Sequence, residues 1–188
     1  MPQSNPNKLI VLDRDGVINQ DSPDYVKTPA EWHALPGSLE AIARLHHAGW
    51  RVVVATNQAG IGRGLFDFDA LFAINDKMQR QVAELGGRID GIFFCPHPPE
   101  AQCDCRKPAP GLLLDIERRL QVSLNNVPFV GDSLRDLQAA AAAGARPVLV
   151  RTGNGAQSED QARQQFPDLA VYDDLSATAA ALLNNKAG

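Results

Sequence analysis

The sequence predicts an α/β fold built around a central parallel sheet. Short apolar runs alternate with longer stretches of helical spacing, the order of strands joined by crossover helices. Several of those runs end in acidic or small polar residues, and glycines follow two of the helical stretches. With 188 residues, 44% hydrophobic and 21% charged, the chain suits one domain over 1–188 with a packed core.

The first strand is Leu9-Ile10-Val11-Leu12, an apolar run followed at once by Asp13-Arg14-Asp15-Gly16. A helix over 37–48 ends before Gly49, a residue suited to the left-handed position beyond a helix end. A second strand, 51–55, leads into Thr56-Asn57-Gln58, and a long helical pattern covers 66–85. A third strand at Gly91–Cys95 is followed by a helix over 110–120. Strand 127–130 then leads through Gly131-Asp132-Ser133 into a helix over 134–143, closed by Gly144. The alanines 139–143 suit close packing on a sheet. Strands at 147–150 and 169–172, a solvated glutamine-rich helix at 156–165 and a helix at 176–183 complete the pattern. Two stretches have no period: 19–35, rich in Asp and Pro, and 96–110, rich in Pro and Cys. Long loops in a compact domain tend to be functional, and both of these follow strands.

A net charge of −4 argues against a nucleic-acid partner, though not against a small anionic substrate met by a local cluster of cations. Residues 1–8 are polar and lack the apolar core of a signal peptide, and no later stretch is long enough to span a bilayer. The expectation is a cytoplasmic protein with no membrane partner, acting as a monomer.

Four motifs carry chemistry. Asp13 and Asp15 close a buried strand, where open α/β folds present their ligands. Carboxylates there can hold a hard cation, act as a nucleophile or exchange a proton, and this spacing allows all three. Thr56 and the amides after it can hold phosphate oxygens. Lys107, in Cys105-Arg106-Lys107-Pro108, can neutralise charge beside them. Asp132 opens a helix opposite Asp13, and Asp136, one turn on, can support it. An N-cap role for Asp132 is compatible with metal binding.

Cys95, His97, Cys103 and Cys105 form a separate group. Soft ligands of this kind and number suit a closed tetrahedral Zn²⁺ site that leaves no position for catalysis and so serves structure. The site would brace the loop carrying Arg106 and Lys107. With all three cysteines of the chain inside this stretch, a disulfide framework is a poor fit.

In order along the chain, these motifs resemble those of phosphatases of the haloacid dehalogenase (HAD) superfamily. The resemblance runs from Leu9 to about Val150 and implies a Rossmann-like three-layer sandwich, Mg²⁺ and an aspartyl-phosphate intermediate. It assigns Asp13 as nucleophile and Mg²⁺ ligand, and Asp15 as general acid/base that lends its backbone carbonyl to the metal. Asp132 becomes the remaining protein ligand, supported by Asp136, while Thr56 and Lys107 bind the transferring phosphoryl group.

Thr56-Asn57-Gln58-x-Gly60-Ile61-x-Arg63-Gly64 and the Cys95–Cys105 loop narrow the resemblance to the D-glycero-D-manno-heptose-1,7-bisphosphate 7-phosphatases. These act on a small phosphorylated sugar in making the heptose units of lipopolysaccharide. Histidinol-phosphate phosphatases are the alternative, with a polynucleotide 3′-phosphatase and a non-catalytic zinc-stabilised binding module behind them. There is no room for a large cap domain, so loops 19–26, 57–64 and 96–110 must shape the pocket. Asn57, Gln58, Arg63, Arg106 and Asp21 are the candidate substrate-binding residues, and Asn19 and Asp24 are further candidates for sugar hydroxyls. A second phosphate on the substrate needs its own cation, with Arg106 the leading candidate. His33, His46 and His47 are expected to be peripheral.

Overall fold

The computed structural model describes residues 8–184; the polar segment read above as lacking a leader lies outside them, apart from Lys8. Six parallel strands form one sheet in the order β3-β2-β1-β4-β5-β6. They are β1 (Leu9–Leu12), β2 (Arg51–Asn57), β3 (Gly91–Cys95), β4 (Pro128–Gly131), β5 (Arg146–Val150) and β6 (Ala170–Tyr172). The helices are α1 (Ser38–His47), α2 (Ala59–Gly62), α3 (Phe68–Glu84), α4 (Gly111–Leu120), α5 (Leu134–Ala142), α6 (Gly155–Gln165) and α7 (Leu175–Asn184).

Strand periodicity sorts the core into layers. Ile10 and Leu12 of β1 and Val52 and Val54 of β2 face one way, packing with Leu45 of α1, Met78 of α3 and Ala179 of α7. Leu9, Val11, Val53 and Ala55 face the other way, onto Leu113 of α4 and Ala139 and Ala140 of α5. Of the alanine run, Ala139 and Ala140 therefore lie against the sheet, while Ala141 and Ala142 are exposed. Strands buried on both faces need continuous apolar sequence, and β1, buried throughout, has it. The result is the three-layer sandwich that the sequence predicts.

Strand order reverses direction at β1: β2 and β3 extend to one side, β4 to β6 to the other. That switch point is where open α/β sheets bind ligands. Register matches Leu12 with Val54 on β2 and with Val130 on β4, so the residues ending these three strands are brought side by side.

The differences from expectation are local. β2 runs on through Thr56 and Asn57 because they pair with Phe94 and Cys95 of β3. The helix expected over 66–85 begins at Phe68, since the Asp67 carboxylate caps it by accepting the Ala70 N–H at 2.9 Å. The short α2 before it escapes sequence reading because a single turn has no period. Gly49 and Gly144 take positive φ, 81° and 75°, as residues just past a helix end should. The irregular stretch after Gly16 is anchored by fully buried Trp32 and by a bridge from Asn19 to Ala34. His33 and His47 are exposed and His46 is half-buried.

Candidate active site

Asp13 follows β1 directly, its N–H donating to the Val130 carbonyl at 2.9 Å. Asp132 follows β4, Thr56 sits on β2, and Lys107 arrives on the loop after β3. They line one cavity of about 330 Å³ together with Asp15, Asn57, Gln58, Asp21, Arg63 and Arg106. Asp24 does not line it, and Asn19, fully buried, faces Asp15 instead.

Lys107 is the electrostatic centre. Its buried ammonium donates to the Ala55 carbonyl at 2.9 Å and pairs with Asp13 Oδ1 at 3.0 Å and Asp136 Oδ1 at 2.7 Å. Its three protons are thereby engaged. Asn57 secures the loop, donating to the Lys107 carbonyl and accepting the Lys107 N–H, each at 3.1 Å. Asp13 Oδ1 also accepts the Arg14 N–H at 2.7 Å, which leaves Oδ2 without a donor among the described residues.

Asp15 is held in a different way. Arg14 grips both of its carboxylate oxygens, at 3.0 and 3.1 Å from Nη2. Asn19 donates to Oδ1 at 2.9 Å and Gln58 to Oδ2 at 2.8 Å, while the same Gln58 amide reaches the Thr56 hydroxyl at 2.9 Å. Arg14 has no exposed surface. A buried arginine is tolerable only when paired, and here its partner is the neighbouring acid.

Asp132 is wedged. Its Oδ2 accepts the Asn154 N–H at 2.8 Å and the Asn154 amide at 3.2 Å, and that amide also reaches Asp21 Oδ2 at 3.0 Å. A Cβ at Gly16 would stand 2.1 Å from this Oδ2, and one at Gly153 would stand 2.2 Å from it. Both glycines also have positive φ, 82° and 58°, so each position excludes a side chain twice over.

Oxygens of Asp13, Asp132 and Asp136 lie within 4.8 Å of one another. Asp136 is otherwise engaged: Oδ1 holds Lys107, and Oδ2 accepts the Ser133 hydroxyl at 2.7 Å and the Asp132 N–H at 3.2 Å. Asp13 and Asp132 remain to face a cation. Burial pushes the Asp13 carboxyl well above its ordinary value; Lys107 opposes this, and Asp136, Asp132 and Asp15 add to it. Asp132 is pushed up to about 7, by burial first and by Asp136 next. Asp136, despite burial, is held below its ordinary value by Lys107. A crowd of carboxylates with one ammonium is short of positive charge, and an all-oxygen donor set suits a hard divalent ion.

The cysteine group also converges. Cys105 Sγ lies 3.1 Å from Cys95 Sγ, 3.5 Å from Cys103 Sγ and 3.3 Å from His97 Nδ1. Disulfide sulfurs would be about 2.05 Å apart. A tetrahedron with metal–sulfur bonds of about 2.3 Å has edges of about 3.8 Å, much closer to what is seen. Burial pushes the Cys95 and Cys105 thiols up, whereas hydrogen bonds from Cys105 and Cys95 lower Cys103 to about 7 despite burial, so Cys103 alone of the three is moved towards the thiolate a metal requires.

Comparison with known proteins agrees with this geometry. A family model described as HAD-hydrolase-like matches residues 104–178. The D-glycero-beta-D-manno-heptose-1,7-bisphosphate 7-phosphatase of Bordetella bronchiseptica is 59% identical over 177 residues, covering 94% of this chain and 98% of that protein. The chain belongs to the heptose-1,7-bisphosphate 7-phosphatase family. The Pseudomonas aeruginosa phosphatase of the same name is 51% identical over 93% of this chain and 97% of its own length. Among solved structures, the B. bronchiseptica D,D-heptose 1,7-bisphosphate phosphatase complexed with magnesium and phosphate superposes with a TM-score of 0.91, at 59% identity, covering 95% of this chain and 99% of that one. As a member of this family, the chain is a phosphoric monoester hydrolase of the HAD superfamily.

Within this heptose-phosphatase fold, Asp15, Asp21, Thr56, Asn57, Gln58, Arg63, Arg106, Lys107, Asp132 and Asp136 line one cavity with Asp13. The sequence motifs assign no role to Arg14, Asn154 or Arg135, yet Asn154 and Arg135 line the cavity and Arg14 braces Asp15. Arg14 was legible in principle, since an arginine between two acids at a buried strand end must pair with one. Arg63 lines the cavity too, but its guanidinium reaches Glu100 at 3.5 Å and lies 6.0 Å from the Tyr25 ring centre, joining three loops. No described helix is long and apolar enough to cross a membrane.

Proposed function

We propose that this chain removes the C7 phosphate of D-glycero-D-manno-heptose 1,7-bisphosphate through an aspartyl-phosphate on Asp13, a step in supplying heptose for lipopolysaccharide. The observation that carries the reading is the contrast between the two acids of the first motif. Asp13 faces Lys107 and Asp132 and keeps Oδ2 open. Asp15, on the wall of the same cavity, is held apart from that group by Arg14, Asn19 and Gln58.

Asp13 and Asp132 would hold Mg²⁺ with the Asp15 backbone carbonyl; the ion supplies charge that offsets repulsion between a carboxylate and a phosphate. Asp13 Oδ2 attacks phosphorus, forming an acyl phosphate as the bond to the C7 oxygen breaks. Asp15 gives its proton to that oxygen, and the sugar leaves as an alcohol. A water then attacks phosphorus and surrenders a proton to Asp15, releasing phosphate and restoring Asp13. Lys107 acts by charge, since its protons are engaged, while Thr56, steadied by Gln58, presents its hydroxyl to the phosphoryl oxygens. Arg106 is suited to the sugar's remaining phosphate. Residues 1–188 are read as one domain.

The test compares initial rates with Mg²⁺ on heptose 1,7-bisphosphate, histidinol phosphate and a 3′-phosphorylated oligonucleotide. The bisphosphate is expected to be turned over fastest. Equal or better turnover of histidinol phosphate would overturn the substrate assignment.

We also propose that Cys95, His97, Cys103 and Cys105 hold a structural Zn²⁺ that fixes the loop delivering Arg106 and Lys107. Elemental analysis of the purified protein is expected to find one zinc per chain, with thiols slow to titrate until a chelator removes it. Metal-free protein with freely titratable thiols would contradict the site. Removal is expected to lower activity as well as stability, because Arg106 Nη1 is itself bonded to the His97 carbonyl at 3.2 Å.

A further inference from the structure

The Lys107–Asp136 ion pair at 2.7 Å does more than balance charge. It pins the loop after β3 to the first turn of α5, so the residues just before each partner, Arg106 and Arg135, are carried to the same wall of the cavity. Both line the main cavity, and both also line an adjoining one of about 310 Å³ with Pro99, Gln102 and Pro108.

Neither arginine forms an ion pair among the described residues, whereas Arg63, on the same rim, is engaged by Glu100. Arg106 is half-buried, and its guanidinium has the His97 carbonyl as its one hydrogen-bond partner among the described residues. Two guanidiniums on one wall, with no acidic residue lining the smaller cavity they share, form a site that an anion would relieve. Two guanidiniums also match the oxygens of a phosphate through paired N–H groups.

We propose that Arg135 joins Arg106 in a subsite for the phosphate that is not hydrolysed, and that this pair makes the enzyme select a doubly phosphorylated sugar over a singly phosphorylated one. The proposal rests on the functional reading above. The reacting phosphate lies at Asp13; the second sits at the pocket mouth, where the exposed Arg135 can reach it without entering the reaction centre.

The experiment measures kcat/KM for heptose 1,7-bisphosphate and for heptose 7-phosphate in the wild type, Arg135→Gln and Arg135→Lys. The wild type is expected to prefer the bisphosphate. Arg135→Gln is expected to reduce that preference about tenfold, through KM and not kcat, as fits loss of a charge-assisted contact outside the chemistry. Arg135→Lys should recover part of it. A preference unchanged in Arg135→Gln, or an equal loss on both substrates, overturns the subsite while leaving the functional reading standing. A wild type that does not turn over the bisphosphate overturns both.

Discussion

Asp13→Asn is expected to abolish turnover, by about 10⁴-fold or more, while leaving the fold intact. An amide has the shape of the carboxylate but cannot attack phosphorus. It also withdraws the charge that, with Asp132, would hold a cation. Stability should move little, or upward. Burial and the neighbouring acids push the Asp13 carboxyl well above its ordinary value, so holding a charge there costs the folded chain energy that a neutral amide does not. Steady-state rates and thermal melts on the same preparation check both halves. Retained turnover would sink the nucleophile assignment, and a large drop in Tm would assign the loss to misfolding.

Lys107→Met is expected to cost both activity and stability. Removing the cation leaves Asp13 and Asp136 facing each other in a buried centre and the Ala55 carbonyl without its donor. Breaking a buried ion pair from one side typically destabilises by about 3–5 kcal/mol, and activity should fall by about 10²-fold or more. Chemical denaturation reads the first and kinetics the second. The pH dependence supplies a further check. Lys107 holds Asp136 below its ordinary value of 3.8, so that pair stabilises the fold above this value and the contribution is lost as pH falls through the lowered one. Lys107→Met should remove this contribution across the whole range above. A variant as stable as the wild type would mean that the ion pair carries no net energy. Adding Mg²⁺ should return part of the lost stability, because a divalent ion replaces some of the missing charge.

Much of this site could be read from local sequence because its parts end strands. An apolar run followed by acids, as at Leu9–Asp15, says that the acids lie at a sheet edge, whatever the rest of the chain does. The grouping of Cys95, His97, Cys103 and Cys105 was legible for a similar reason: four soft donors within one short loop have few other uses. The parts that stayed hidden depend on distance along the chain. Asn154 meets Asp132 only because β5 returns to lie beside β4, and nothing near residue 154 hints at a carboxylate. Arg135 and Arg106 become neighbours only through the ion pair between the residues that follow them. Trp32 sat in a stretch without period, yet it is buried completely, because a single large side chain can anchor a loop that forms no regular element.

The wedging of Asp132 between Gly16 and Gly153 has a consequence for redesign. At those two positions the essential contribution is missing atoms: a single methyl group would stand 2.1 or 2.2 Å from the carboxylate oxygen. Libraries randomised there would lose the placement of Asp132 before sampling any new substrate. The exposed rim at 135, where the wall meets solvent, is open to variation. Retargeting this enzyme to other phosphorylated compounds is therefore a matter of the rim, with the glycine floor left as it is.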